Sequence, residues 1–247
     1  MSGALAALRQ RLRTLDGERR HRGVLPFGVA AIDARLPDGG LALGALHEVM
    51  GAGSGAVDGV AAALFAAGIA ARTRGRVLWC VTRQDLFAPA LAAAGLAPDR
   101  VVWVEAGDEK TVLACCEEGL RHGGGVGAVV GETARLSMTA SRRLQLAAES
   151  SGATGIAIRR LACPGKGDFG DPTAAVTRWR VGVLPSAPLP VMGIGRSRWW
   201  LELVRCRGGE AACFDVEACD AQGRLGIPAG MADRPGQEAA RQRRAAG

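Results

Sequence analysis

The sequence predicts an α/β protein with a doubly wound, mostly parallel sheet and antiparallel strands added at the C-terminal side. Three observations indicate this class. Short apolar runs alternate with longer helical stretches, several helical stretches end near a glycine, and longer strand-like runs replace the alternation after residue 173. Because crossover helices join parallel strands, the alternation favours a sheet with helices on both faces.

Five short apolar runs are the predicted parallel strands. They lie at 43–50, 76–82, 101–106, 127–132 and 154–161. Ala- and Leu-rich stretches between these runs are the predicted helices, near 57–74, 85–95, 109–121 and 137–150. Gly75, Gly95 and Gly152 follow three of them, as expected where glycine ends a helix.

Three longer runs near the C-terminus have strand character and predict antiparallel additions to one sheet edge. They read AAVTRWRVGVL, SRWWLELVRCR and AACFDVEACD. In the second run, alternation places Trp199, Leu201 and Leu203 on one face and the residues between them on the other.

The chain divides into three predicted parts. Residues 1–22 form an N-terminal amphipathic arm and linker, residues 23–226 the core domain, and residues 227–247 a flexible Arg-rich tail without apolar period. The apolar stripe of the arm must be covered, either by its own domain or by a neighbouring subunit, and its members are candidate partner-binding residues. They are Leu5, Leu8, Leu12 and Leu15.

Composition narrows the functional class. Of the 247 residues 48% are hydrophobic, which is too apolar for a disordered chain. No apolar run approaches the roughly 20 residues of a membrane span, and the N-terminus lacks the pattern of a signal peptide, so we expect a cytoplasmic protein without membrane contact. The formal charge of +7 favours an acidic partner such as nucleic acid, or simply reflects solvated faces.

The cysteines and histidines predict neither a metal site nor a nucleophilic triad. Seven cysteines include no C-x-x-C pair, so we expect buried thiols in a reducing compartment. The alternative is that Cys206, Cys213 and Cys219 meet across a hairpin as metal ligands. The three histidines have no serine or cysteine at motif spacing, and we assign no catalytic residue.

The stretch GAGSGAVDG, residues 51–59, follows the first predicted strand, where a nucleotide-binding protein carries its phosphate loop. A working loop reads G-x-x-x-x-G-K-[ST], with lysine and hydroxyl for phosphate and magnesium. Counted from Gly51, those three defining positions hold Ala56, Val57 and Asp58. The loop keeps glycines at 51, 53 and 55 around Ser54, but we expect no bound cofactor, and Asp58 is predicted to cap the following helix.

The stretch LPFGVAAIDARLPDGGLALGALHEVMGAGSG, residues 25–55, resembles the start of the core of RecA-type recombinases. The similarity continues in order through RVLWCVT and the following strand-helix-strand to DFGDPTAA, which is similar to the second DNA-binding loop of that family. It spans most of residues 25–220 and implies a RecA-like core.

Departures from the RecA pattern are equally regular. Where a RecA-type ATPase has a magnesium-binding aspartate, the chain has Gly131 and Glu132, and Arg83 stands in place of the glutamate that activates water. The resemblance therefore implies a scaffold without ATP hydrolysis, with Glu132 as a displaced metal ligand the alternative. At the polar sensor of the fifth strand the chain has Arg159 and Arg160.

Together with GETARLSMTASRRLQLAAESSG and SRWWLELVRCRGG, these features resemble the ImuA family, degenerate RecA relatives of bacterial mutagenesis cassettes. This resemblance implies a non-catalytic adaptor in SOS-induced error-prone translesion DNA synthesis. The implied partners are an ImuB-like polymerase homologue and, in addition, RecA and an error-prone replicative-type polymerase.

Two other functions stay open: a SulA-like inhibitor of cell division, and a RecA-like ATPase with an unconventional nucleotide site. We expect contact with DNA to be indirect or weak. The candidate nucleic-acid residues combine cations with one aromatic ring. They are Arg159, Arg160, Lys166 and Phe169.

Overall fold

A computed structural model describes residues 23–53, 55–160, 170–186, 193 and 195–228. The strands are β1 (Val24–Leu25), β2 (Leu41–Ala42), β3 (Leu46–Gly51), β4 (Arg76–Val81), β5 (Val101–Glu105), β6 (Val126–Thr133), β7 (Thr154–Arg159), β8 (Thr177–Leu184), β9 (Arg198–Cys206) and β10 (Ala212–Glu217). The α-helices are α1 (Ala30–Asp33), α2 (Ala56–Ala71), α3 (Ala88–Ala93), α4 (Glu109–His122) and α5 (Met138–Ser151).

Eight of the described strands form one sheet in the order β10-β9-β8-β3-β7-β6-β4-β5. The six strands from β8 to β5 are mutually parallel, and β9 and β10 are antiparallel to their neighbours. The short strands β1 and β2 pair separately. This arrangement confirms the predicted fold class, a mostly parallel sheet with antiparallel strands at the C-terminal side.

Helices cover both faces of the parallel part of the sheet. Helix α2 and residues of α3 belong to the core cluster on one face, and α4 and α5 belong to the cluster on the other. Four aromatic rings pack together on the α2 face. The centroid of the Phe65 ring lies 5.7 Å from that of Phe27, 5.6 Å from that of Trp179 and 6.4 Å from that of Trp199. The second half of α2 is alanine-rich and buried, so the helix packs closely on the strands beneath it.

One detail of the C-terminal strands differs from the expectation. The run containing β8 was expected to be antiparallel, but β8 is parallel to β3, with His47 opposite Thr177. Among the described strands of this sheet, antiparallel pairing begins at β9, which is antiparallel to both β8 and β10. Strands β7 and β8 both run parallel to β3. The predicted antiparallel direction of β8 is therefore wrong.

Other predictions concern residues near or beyond the described ranges. The N-terminal stripe Leu5, Leu8, Leu12 and Leu15, the loop residues Lys166 and Phe169, and most of the tail 227–247 lie outside them. Within the ranges that are described, no helix is long and apolar enough to cross a membrane. The alternating faces of β9 are confirmed, since Trp199, Leu201 and Leu203 are buried.

Candidate functional site

The candidate site lies at the carboxyl ends of the parallel strands, the edge where open α/β sheets bind their ligands. Gly51 is the last residue of β3, and α2 begins at Ala56. Ser54 is not among the described residues. The loop therefore joins a strand to a helix, as a phosphate loop does.

Asp58 ties this loop to the neighbouring strand. Its Oδ1 accepts a hydrogen bond from the backbone N–H of Val183, near the end of β8, at 3.0 Å. The N-cap residue of α2 is Gly55, which forms no side-chain hydrogen bond. The predicted place of Asp58 at the positive end of the helix dipole is confirmed, since it lies in the first turn of α2. The predicted cap is not seen among the described residues, where the carboxylate accepts from Val183 on β8 and from no N–H of its own helix.

The loop glycines make room for this carboxylate. A Cβ on Gly53 would lie 2.8 Å from Asp58 Oδ2, and one on Gly51 would lie 2.9 Å from the Asp58 carbonyl carbon. A second contact joins the loop to β8, since the N–H of Ala52 donates to the Val181 carbonyl at 2.7 Å. The absence of a side chain at Gly51 and Gly53 thus leaves the space that Asp58 occupies.

The position that a phosphate loop gives to lysine is apolar and exposed. Val57 is 66% exposed, and Val60, one turn further along α2, is 48% exposed. Val183 beside them and Phe87 after β4 are also exposed. The loop thus places a carboxylate and valines where a nucleotide needs a cation and a hydroxyl, and these residues do not fit a nucleotide phosphate.

Glu132, the alternative metal ligand, has protein partners on both oxygens. Its Oε1 accepts from Trp79 Nε1 at 2.8 Å, and its Oε2 forms an ion pair with Arg160 Nε. Burial raises the pKa of Glu132, while the Arg160 charge and the Trp79 N–H act in the opposite direction. Protein partners thus hold both oxygens of this carboxylate, and its role as a metal ligand stays untested.

Arg160 joins this carboxylate to the segment after β4. Its Nη1 and Nη2 donate to Asp85 Oδ2 and Oδ1 at 2.7 and 2.8 Å, a bidentate pair. These hydrogen bonds raise the pKa of Arg160 and lower the pKa of Asp85. The predicted contact of Arg160 with nucleic acid stays a prediction, and its guanidinium already has two carboxylate partners.

Arg159 lies on the opposite face of the sheet, in a buried ion cluster. Glu48, in the middle of β3, pairs with Arg159 Nη1 at 3.3 Å and with Arg178 Nε at 2.6 Å. The three side chains are at most 9% exposed. Arg159 Nη2 also donates to the Ala134 carbonyl at 2.9 Å, so the guanidinium braces the end of β6 against β7. Its predicted contact with nucleic acid is likewise untested.

Sequence reasoning missed both ion networks, although one signal was available. A glutamate inside an apolar strand needs a buried partner, and Glu48 stands within LHEVMG. Its partners come from β7 and β8, more than 100 residues away. Among the described residues no three His, Cys, Asp or Glu side chains lie close enough to hold a metal ion, and the expectation of no metal stays a prediction.

Comparison with solved structures supports the RecA-like fold. The chain aligns with the RadB recombinase at a TM-score of 0.55 and 16% identity, covering 83% of this chain and 99% of that one. SulA from Pseudomonas aeruginosa aligns over 46% of this chain and 96% of that one, with 27% identity and a TM-score of 0.38, which is too low to support an argument. The fold is therefore RecA-like.

Comparison with curated proteins identifies closer relatives. No family model matches the chain. Protein ImuA from two strains of Caulobacter vibrioides is 40% identical over 215 residues, 83% of this chain and 87% of that protein. An identity of this size over most of both chains indicates common descent. Together with the RecA-like sheet, it establishes that the chain belongs to the ImuA family.

Proposed function

We propose that the protein is a non-catalytic adaptor in SOS-induced, error-prone translesion DNA synthesis in the cytoplasm. It binds an ImuB-like polymerase homologue and, in the same assembly, RecA and an error-prone replicative-type polymerase. The observation that carries the proposal is the 40% identity to Protein ImuA over 83% of the chain. Contact with DNA is indirect or weak.

The geometry of the loop supports a role without catalysis. Asp58 lies against the loop glycines, and a second anion about 4 Å away would be repelled by on the order of 1–4 kcal/mol. Glu132 is held by Trp79 and Arg160, and the exposed Arg83 brings a cation, not a base, to the end of β4. ATP hydrolysis at this edge would lack its usual lysine, magnesium ligand and general base.

Exposed apolar side chains support a role in protein contacts. Of the eight large apolar residues that are exposed in the described part of the chain, four lie towards the carboxyl edge of the sheet: Val57, Val60, Phe87 and Val183. Exposed apolar side chains that form one patch are typical of protein interaction surfaces. The edge that binds ligand in related folds is thus chemically suited to a protein partner.

A pull-down tests the proposal. The purified chain is mixed with the ImuB-like partner, and separately with RecA, with and without ATP and magnesium. Variants lacking residues 1–22 or 227–247 are run in parallel. We expect capture of the ImuB-like partner that does not depend on nucleotide. Absence of capture would contradict the adaptor, and capture only with ATP would contradict its nucleotide independence.

A further inference from the structure

The Asp58 carboxylate lies inside the turn between β3 and α2. One oxygen binds the Val183 N–H at 3.0 Å, and the other lies 2.8 Å from the position of a Cβ on Gly53. Any side chain at Gly51 would also collide with the Asp58 backbone at 2.9 Å. The carboxylate and the two glycines therefore form one close-packed unit.

This unit lies at the positive end of a helix of 16 residues. Backbone N–H groups and the helix dipole favour negative charge there, which is why phosphates bind at such positions. In this chain the negative charge is supplied by the third residue of the helix itself. The same side chain also accepts a hydrogen bond from Val183 of β8.

Two contacts of different kinds connect the loop with β8. Asp58 accepts from Val183, and Ala52 donates to the Val181 carbonyl at 2.7 Å. Gly182, between those two residues, is also close, since its Cβ would lie 3.0 Å from Ala52 Cβ. The end of β8 and the loop therefore pack as one body.

We propose that Asp58 is a built-in clasp: its carboxylate holds Gly51–Gly53 against the end of β8 and takes the place of a nucleotide phosphate. This inference goes beyond the proposed function, because it assigns the packing of Gly51–Gly53 on β8 to one side chain, whichever partner the protein binds. It also accounts for Gly53, where a Cβ would lie 2.8 Å from the Asp58 carboxylate oxygen.

Two substitutions separate the hydrogen bond from the charge. Asp58→Asn keeps an oxygen that can accept from Val183 N–H, whereas Asp58→Ala removes the acceptor. Asp108→Ala is the matched control, because Asp108 also accepts a backbone N–H in the first turn of a helix, from Thr111 at 3.0 Å, but lies at the start of α4.

The test is hydrogen exchange of the full chain, measured on peptides that cover β3 to the start of α2 and the end of β8. We expect Asp58→Ala to raise exchange in both peptides, by about tenfold at Val183, and Asp58→Asn to stay near wild type. Asp108→Ala should raise exchange only at the start of α4. Millimolar pyrophosphate, the probe for phosphate binding, should leave the wild-type loop unchanged.

Opposite results would overturn the clasp. Unchanged exchange at the end of β8 in Asp58→Ala would mean that the hydrogen bond does not hold the loop. Protection of the wild-type loop by pyrophosphate would mean that the loop still takes a phosphate. If Asp58→Ala fails to fold, the Asn variant and the pyrophosphate measurement still decide the question.

Discussion

His47, near the start of β3, is the centre of a buried hydrogen-bond chain. Its Nε2 lies 2.8 Å from the Ala42 carbonyl oxygen, which can only accept, so Nε2 carries the proton. Nδ1 then accepts from the Thr177 hydroxyl at 2.8 Å, and Thr177 Oγ1 accepts from Trp179 Nε1 at 2.9 Å. Every polar atom in this chain has a partner only while the imidazole is neutral.

We therefore predict that the protein loses stability in mild acid through His47. Burial lowers the pKa of His47 from 6.5 to about 4, against the opposing effect of the Ala42 hydrogen bond. Because the unfolded chain binds this proton more readily, the free energy of unfolding decreases as pH falls from about 6.5 towards about 4. The loss is on the order of 3 kcal/mol. Urea denaturation at several pH values measures it.

The comparison with His47→Gln isolates this contribution from that of the carboxylates. The variant should be less stable at neutral pH and should show a smaller decrease between pH 7 and pH 4. His122→Gln, at an exposed histidine, should follow wild type. Equal pH dependence in wild type and His47→Gln would contradict the assignment.

Thr177→Val tests the same chain without a titrating group. The substitution keeps the shape but leaves His47 Nδ1 and Trp179 Nε1 without partners, so we expect a loss of about 1–3 kcal/mol in the free energy of unfolding. Thr139→Val, at an exposed position of α5, should change it by less than about 0.5 kcal/mol. Thermal denaturation would contradict the account if both variants behaved alike.

At the scale of elements, Arg100 fastens the end of α2. It donates to the carbonyls of Ala71, Thr73 and Gly75, at 2.5, 2.7 and 2.7 Å for the shortest contact with each. We expect Arg100→Ala to cost about 1–3 kcal/mol, since these carbonyls lose a charged donor, and Arg100→Lys to recover only part of it. Chemical denaturation compares both with Arg74→Ala, an exposed neighbour; a loss as large in that control would contradict the role of Arg100.

Two glycines of α2 should respond oppositely to the same substitution. A Cβ on Gly68 would collide with the half-buried Cys219 side chain and lie 3.3 Å from the Gly223 carbonyl, so Gly68→Ala should cost about 1–3 kcal/mol. Gly59 is exposed with nothing within 4 Å, and Gly59→Ala should add up to about 1 kcal/mol. A melting temperature that shifts in the same direction for both would contradict this packing.

Elements were predictable from the sequence where local pattern determines them. The apolar runs correctly predicted β4 to β7 within a few residues, and Gly152, with φ of 88°, ends α5 as expected. The direction of β8 was not predictable, because it depends on pairing with β3, which is distant in the chain. Helix α3 is shorter than expected and covers only Ala88–Ala93.

At the scale of the whole molecule, the candidate site was predictable as a position but not as a set of contacts. The loop pattern located the strand-loop-helix and the missing lysine and hydroxyl. Asp58 was assigned to its own helix, since no sequence pattern shows that the Val183 N–H, 125 residues away, lies beside it. Glu48 with Arg159, and Glu132 with Arg160, depend on the order of strands in the same way.

The central claim is that a side chain has replaced the nucleotide at the edge where RecA-like folds bind ligands. Equilibrium dialysis of the wild-type protein with labelled ATP and magnesium tests it most directly. We expect no saturable binding, even at millimolar ATP. Saturable binding at micromolar ATP that competes with pyrophosphate would contradict it, because the loop would then hold a phosphate despite Asp58.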